Sequence, residues 1–181
     1  MKTRFAGTVL LAIALMLPAL PLKAATAAGP DVHGTFEKAT QASSQLRESA
    51  DRLHAISRGG ALSWESHSRY LNLVTEDVNR MGKMLTQLEG LAPHASDTQR
   101  AAIENLRPRL TGAANALTSA IALLESRSYN TRLAPYQDSV RAVSEHVDSL
   151  HQELAAVTDY ESAKARLARL GSAPAQTDSA R

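Results

Sequence analysis

The sequence predicts an all-α protein, an antiparallel up-down-up-down four-helix bundle that follows an N-terminal signal peptide. Three observations lead to this prediction. The chain of 181 residues is rich in alanine and leucine but only 4% aromatic, which favours helices packed on helices. Four long segments repeat apolar residues at steps of three and four, the spacing of one helix face. The chain has no cysteine, which excludes disulfides, thiolate metal sites and lipoprotein tethering.

Residues 1–27 have the three regions of a secretory signal peptide. Lys2 and Arg4 form a positive start, residues 5–17 are apolar, and residues 25–27 supply the small side chains that precede a cleavage site. We expect cleavage near Ala27, although a cut a few residues earlier is also compatible with the sequence. The leader predicts a protein that is periplasmic or secreted. The pattern of the leader is typical of bacterial signal peptides.

An uncleaved membrane anchor is the alternative to cleavage. Such an anchor needs about 20 consecutive apolar residues. Here Pro18, Pro21 and Lys23 interrupt the apolar run just before the small residues. We therefore expect no stable membrane span after cleavage.

Removing the leader also removes the apparent basicity of the chain. The leader contains three basic residues and no acidic one, so 17 of the 20 basic residues remain against 18 acidic residues. The two signs alternate along the predicted helices without a block of like charge. Nucleic acid is therefore not an expected partner, and neither is an anionic membrane surface.

Four apolar stripes define helices at about residues 33–57, 63–91, 97–127 and 132–159, within a bundle domain of residues 28–170. The first stripe is the weakest, because serine and alanine stand where the other helices have leucine or valine. The stripes comprise Phe36, Ala39, Ser43, Leu46, Ala50 and Leu53; Trp64, His67, Leu71, Val74, Val78, Met81, Leu85 and Leu88; Ile103, Leu106, Leu110, Ala113, Leu117, Ala120 and Leu124; and Leu133, Tyr136, Val140, Val143, Val147, Leu150, Leu154 and Val157.

Helix boundaries are marked by capping and helix-breaking residues. Ser63 can cap the second helix and Thr131 the fourth, while Ser96 and Gln99 have the spacing of a capping box at the start of the third. Pro108 lies inside the third stripe and costs about 3 kcal/mol in a helix interior, so we expect a kink there or a later start.

The apolar pattern weakens after the fourth stripe. It continues loosely through Ala163, Leu167 and Leu170, and the composition then becomes small and polar. We expect residues 171–181 to form a disordered tail.

The up-down topology brings most remaining aromatic residues to one end of the bundle. This end combines the end of the first helix, the start of the second, the end of the third and the start of the fourth. We expect any ligand-binding site to lie here, formed by His54, Trp64, His67, Tyr70 and Tyr136. The simpler interpretation is structural, because aromatic residues often close the end of a bundle.

Two metal-based alternatives remain open. His54, His67 and Glu125 at the same end can form a zinc or copper site with one open position. Met81 and Met84 on the second helix lie at heights comparable to His146 and His151 on the fourth, so a methionine and a histidine of this set can ligate a haem, although methionine in the core and histidine beside it need no such explanation. We therefore expect no cofactor.

No catalytic motif is present: the chain has no phosphate-binding glycine loop, no nucleophile elbow and no zinc-protease pair. The sequence therefore predicts a non-enzymatic interaction or scaffold protein of the bacterial cell envelope, with another envelope protein or a second copy of itself as partner. The alternative is a periplasmic carrier of a metal or cofactor.

Overall fold

The computed structural model describes residues 30–59, 63–126 and 134–171; most of these residues are helical, and none of them forms a β-strand. The signal peptide, the Thr131 cap and residues 172–181 lie outside the described residues. The helices are α1, Val32–Gly59; α2, Trp64–Leu91; α3, Asp97–Glu125; and α4, Ala134–Gly171. A 3₁₀ turn, Ala92–His94, joins α2 to α3. The all-α prediction and the four-helix architecture are confirmed.

The apolar stripes form the core of the bundle. Every described residue of the four predicted stripes is buried, with the exception of Trp64. The largest completely enclosed side chains include Phe36 on α1, Leu88 on α2, Leu106 on α3 and Leu154 on α4. Each helix therefore contributes one face to a shared core, as spacing at steps of three and four requires.

Helix α1 packs against α2 and α4, and α3 packs against the same two helices. Helices α2 and α4 therefore face each other across the core. Polar contacts between α1 and α4 follow an ordered series in which residue numbers rise along α1 and fall along α4: Thr40 with Thr158, Ser43 with His151, Asp51 with Ser144, and Ser57 with Gln137.

The starts of α2 and α3 are capped differently. At α3 the capping box is confirmed: the Ser96 hydroxyl accepts the Gln99 N–H, and the Gln99 side chain accepts the Ser96 N–H. At α2, Ser63 occupies the N-cap position, but its side chain makes no capping hydrogen bond to the backbone. Pro108 lies inside α3, which is continuous from Asp97 to Glu125, so of the two alternatives for Pro108 the later helix start is wrong.

Helix α4 is longer than its apolar stripe predicts. It runs to Gly171 instead of ending near residue 159, and residues 162–171 are all exposed. The reason is local: residues 159–170 contain no glycine or proline and are rich in alanine, lysine, arginine and leucine, which all have high helix propensity. A helix can therefore continue where no core packing supports it.

No helix in the described part of the chain has an apolar stretch long enough to cross a membrane.

Candidate functional site

One end of the bundle contains a buried polar pair, His67 and Tyr136. His67 is the fourth residue of α2 and Tyr136 the third residue of α4. Both lie on the apolar stripes of their helices, so both side chains are directed into the core. The pair therefore connects the two helices that face each other across the bundle.

The His67–Tyr136 contact combines a hydrogen bond with ring packing. The Nδ1 atom of His67 lies 2.9 Å from the hydroxyl oxygen of Tyr136. The ring centroids are 5.5 Å apart and the planes meet at 70°, an edge-to-face arrangement. His67 is 0% exposed and Tyr136 is 3% exposed. The contact closes this end of the core with two partly polar rings.

Burial shifts both members of the pair toward their neutral forms. Desolvation lowers the pKa of His67, because a buried imidazolium loses its hydration. Desolvation likewise raises the pKa of Tyr136 to about 12. The Nε2 atom of His67 has no hydrogen-bond partner among the described residues. A neutral, enclosed imidazole is suited to structural hydrogen bonding more than to proton exchange with a substrate.

Of the five residues predicted to bind a ligand, His67 and Tyr136 are joined by a hydrogen bond. Tyr70 is half-buried and packs against the core. His54 is half-buried, and its backbone carbonyl accepts the Ser57 hydroxyl.

The placement of Trp64 on the core-facing stripe is wrong, since its side chain is 50% exposed. Trp64 is the first residue of α2, so it lies at the very end of this stripe. Its neighbours on the stripe, His67 and Leu71, are buried as predicted.

The alternative metal site of His54, His67 and Glu125 is not formed. Among the described residues, no group of three or more His, Asp or Glu side chains is close enough to hold a metal ion. The reason lies in the placement of each residue: Glu125 is exposed at the end of α3, whereas His67 is enclosed and bonded to Tyr136.

A second polar pair joins the buried Ser43 to the half-buried His151, and it was not predicted from the sequence. The Ser43 hydroxyl lies 2.9 Å from Nδ1 of His151 and donates to the carbonyl of Thr40 at 2.7 Å. Since its proton is used in that bond, Ser43 accepts a hydrogen bond from Nδ1–H of His151. Ser43 is 0% exposed. The pair resembles a nucleophile and base only in residue type, because the hydroxyl neither faces solvent nor donates to the imidazole.

Desolvation, reinforced by the nearby Arg47 charge, lowers the pKa of His151 despite the opposing effect of Asp148. The bond to Ser43 leaves His151 engaged at the α1–α4 interface, and Met81 is fully buried in the core. Two of the four residues of the haem alternative are thus accounted for by packing and hydrogen bonding, and Met84 packs partly buried against the core.

Among the described residues, two large exposed apolar side chains lie on the outer face of α2 toward this end of the bundle. Trp64 and Leu73, which are 50% and 41% exposed, line one groove of about 430 Å³. Ser68, Arg69 and Glu76 are among the other residues of this groove. The groove lies on the side of α2 away from the core and presents apolar surface flanked by charges of both signs.

Comparisons with known proteins yield no relative: no protein-family model, no curated protein and no solved structure matches this chain.

Proposed function

We propose that this chain is an exported, non-enzymatic antiparallel four-helix bundle that binds another protein of the bacterial cell envelope through the outer face of α2. The observation that carries the proposal is the half-exposed Trp64, which lines a groove with the exposed Leu73. The antiparallel arrangement is supported by the α1–α4 contacts, in which residue numbers run in opposite directions. Export is supported by the leader-like residues 1–27.

Trp64 has the size and setting of a binding hot spot. Tryptophan and arginine are enriched among the residues that dominate binding energy, and Arg69 lines the same groove. A tryptophan exposes at most about 250 Å², so half exposure leaves on the order of 100 Å² to be covered. At about 25 cal/mol per Å² this contributes about 2–3 kcal/mol on binding.

The two polar pairs do not compete with this surface as binding sites. His67, Tyr136 and Ser43 are enclosed in the core, and their hydrogen bonds link helices. Carriage of a cofactor stays a prediction, and no contact among the described residues favours it.

The test is photo-crosslinking of the full-length precursor expressed in its native cells. A photoreactive benzoylphenylalanine replaces Ser68, between Trp64 and Leu73; the matched control replaces Ser119 on the outer face of α3. We expect one discrete adduct from position 68, absent when Trp64→Ala is added, and no equivalent adduct from position 119. The adduct is then identified by mass spectrometry.

The identified protein is next titrated with the purified mature bundle. Because 2–3 kcal/mol corresponds to about 30- to 150-fold in affinity, Trp64→Ala should weaken binding by that factor. Its unfolding free energy should change by less than about 1 kcal/mol, since the side chain is half exposed. Equal adducts at both positions, or unchanged affinity in the variant, contradict the proposal.

A further inference from the structure

Helix α4 extends beyond the core as a segment that we call the α4 arm, residues 158–171. Val157 is the last buried residue of α4, and every residue of 162–171 is exposed. The adjoining end of the bundle contains the start of α3, where the Ser96 hydroxyl donates to Glu161. The arm therefore leaves the bundle beside the first turn of α3.

One side of the arm is apolar. Tyr160, Ala163, Leu167 and Leu170 follow each other at steps of three, four and three, which places them on one helix face. Tyr160 is 52% exposed, Leu167 69% and Leu170 68%. Two neighbouring leucines exposed to this degree on one stripe are unusual for a helix that acts alone.

The stripe runs into a groove between α3 and α4. Tyr160 lines this groove of about 510 Å³, together with Ala101 and Ala102 from α3 and Ala156 from α4. Ala156 lies four residues before Tyr160, so it continues the same face of α4. The small alanine side chains leave space beside an arm whose own stripe carries large leucines.

The charged residues that flank the stripe can pair with those of the arm of a second copy that runs in the opposite direction. Asp159 lies at the beginning of the arm, and Lys164 and Arg166 follow in its second half. Asp159 and Arg166 are seven residues apart, so they occupy the same flank of the stripe. Two arms running antiparallel place the acidic position of each beside a basic position of the other, as in antiparallel coiled coils.

We propose that two copies of this chain associate through their α4 arms, antiparallel about a twofold axis between residues 161 and 162. In this register Tyr160 faces Ala163 of the second copy, and Leu167 faces Ala156 at the groove. Asp159 lies beside Arg166 of the second copy. Large side chains thus meet small ones at the levels of Tyr160 and Leu167, and opposite charges flank them, whereas Leu170 lies level with Glu153 at the rim.

Twofold symmetry makes every one of these contacts occur twice, which doubles the buried area of a short helix. The arm and groove together are still smaller than a standard interface, so we expect a weak dimer that dissociates on dilution. This surface is separate from the α2 face, and the proposal does not rest on the function proposed above.

The first test is sedimentation equilibrium of the mature protein over a range of concentrations. We expect a monomer–dimer equilibrium that Leu167→Asp weakens at least tenfold. Leu73→Asp is the matched control, because it makes the same change at an exposed leucine outside the arm. The control should dimerise like the wild type, and both variants should retain the helical circular dichroism of the parent.

The proposed register is tested by charge reversal and crosslinking. Asp159→Arg and Arg166→Asp should each weaken dimerisation, and combining them should restore it, since the pair is then reversed on both copies. In this cysteine-free chain, mild oxidation of a mixture of the Tyr160→Cys and Ala163→Cys proteins should yield a disulfide-linked dimer, because residue 160 of one copy faces residue 163 of the other. Ala168→Cys, on the other side of the arm, should crosslink much more slowly.

A mature protein that is monomeric at several hundred micromolar overturns the proposal. So does a dimer that Leu167→Asp leaves unchanged. A monomer that instead binds phosphatidylglycerol vesicles through Leu167 also overturns it, and assigns the stripe to a membrane surface.

Discussion

Removing the Tyr136 hydroxyl is the sharpest test of the buried pair. In Tyr136→Phe the ring is retained, but His67 loses the hydrogen bond made at 2.9 Å. Because His67 is completely enclosed, water cannot replace the lost partner without disturbing the core. An unsatisfied buried polar group costs about 1–3 kcal/mol. We therefore expect Tyr136→Phe to lower the unfolding free energy by about 2 kcal/mol.

A double-mutant cycle separates the hydrogen bond from the packing. His67→Leu removes the imidazole and leaves the Tyr136 hydroxyl unpaired, whereas the double variant replaces the pair by two apolar side chains. Replacing both partners of a buried hydrogen bond is often nearly neutral. The double variant should thus be more stable than the sum of the single effects predicts, with a coupling energy of about 2 kcal/mol.

The assay is urea denaturation of the mature protein at pH 8, where histidine is neutral, followed by circular dichroism. In a thermal melt of the same variants, a loss of 2 kcal/mol in unfolding free energy lowers the melting temperature of a chain this size by about 4–8 °C. Tyr160→Phe is the control, because Tyr160 is 52% exposed and its hydroxyl should contribute less than about 0.5 kcal/mol. Additive effects, or equal behaviour of the two tyrosine variants, refute the reasoning.

Three further predictions concern pH, proline and capping. Burial lowers the pKa of His67 and His151 in the folded state, so the unfolded state binds protons first as the pH falls. Urea titrations at several pH values should therefore show that the unfolding free energy decreases below about pH 6.5. The decrease should be smaller in His67→Leu. Pro108 is exposed inside α3, so Pro108→Ala should raise stability by about 2 kcal/mol in thermal melts, and a loss contradicts this. Ser96→Ala should cost about 1 kcal/mol in the urea assay but Ser63→Ala less than half of that, because only Ser96 caps its helix through its side chain; equal losses contradict the capping argument.

The core was predictable because it depends on local periodicity. Steps of three and four identify the inner face of each helix whatever its neighbours are, so even the weak stripe with Ser43 was assigned to the core correctly. The same reasoning failed at Trp64, since periodicity does not show how well the neighbouring helices cover the first residue of a helix. The same reasoning also predicted too early an end for α4, because the residues after the stripe have helix propensity high enough to continue the helix to Gly171.

The polar contacts were less predictable because they depend on register between helices. The sequence placed His67 and Tyr136 at the same end of the bundle but did not predict their hydrogen bond. Ser43 and His151 are 108 positions apart, and only the relative height of α1 and α4 brings them together. A serine within an apolar stripe was the one available signal, since a buried hydroxyl requires a partner.

Fluorescence of Trp64 is the most direct test of the central claim that the outer face of α2 binds another protein. Trp64 is the only tryptophan in the chain, so in the mature bundle its emission reports on this face alone. Titration with the crosslinked partner, made free of tryptophan, should shift the emission to shorter wavelengths as the indole becomes buried. Leu73→Asp should weaken the binding that this emission shift reports. Binding that calorimetry detects without any change in Trp64 emission contradicts the claim.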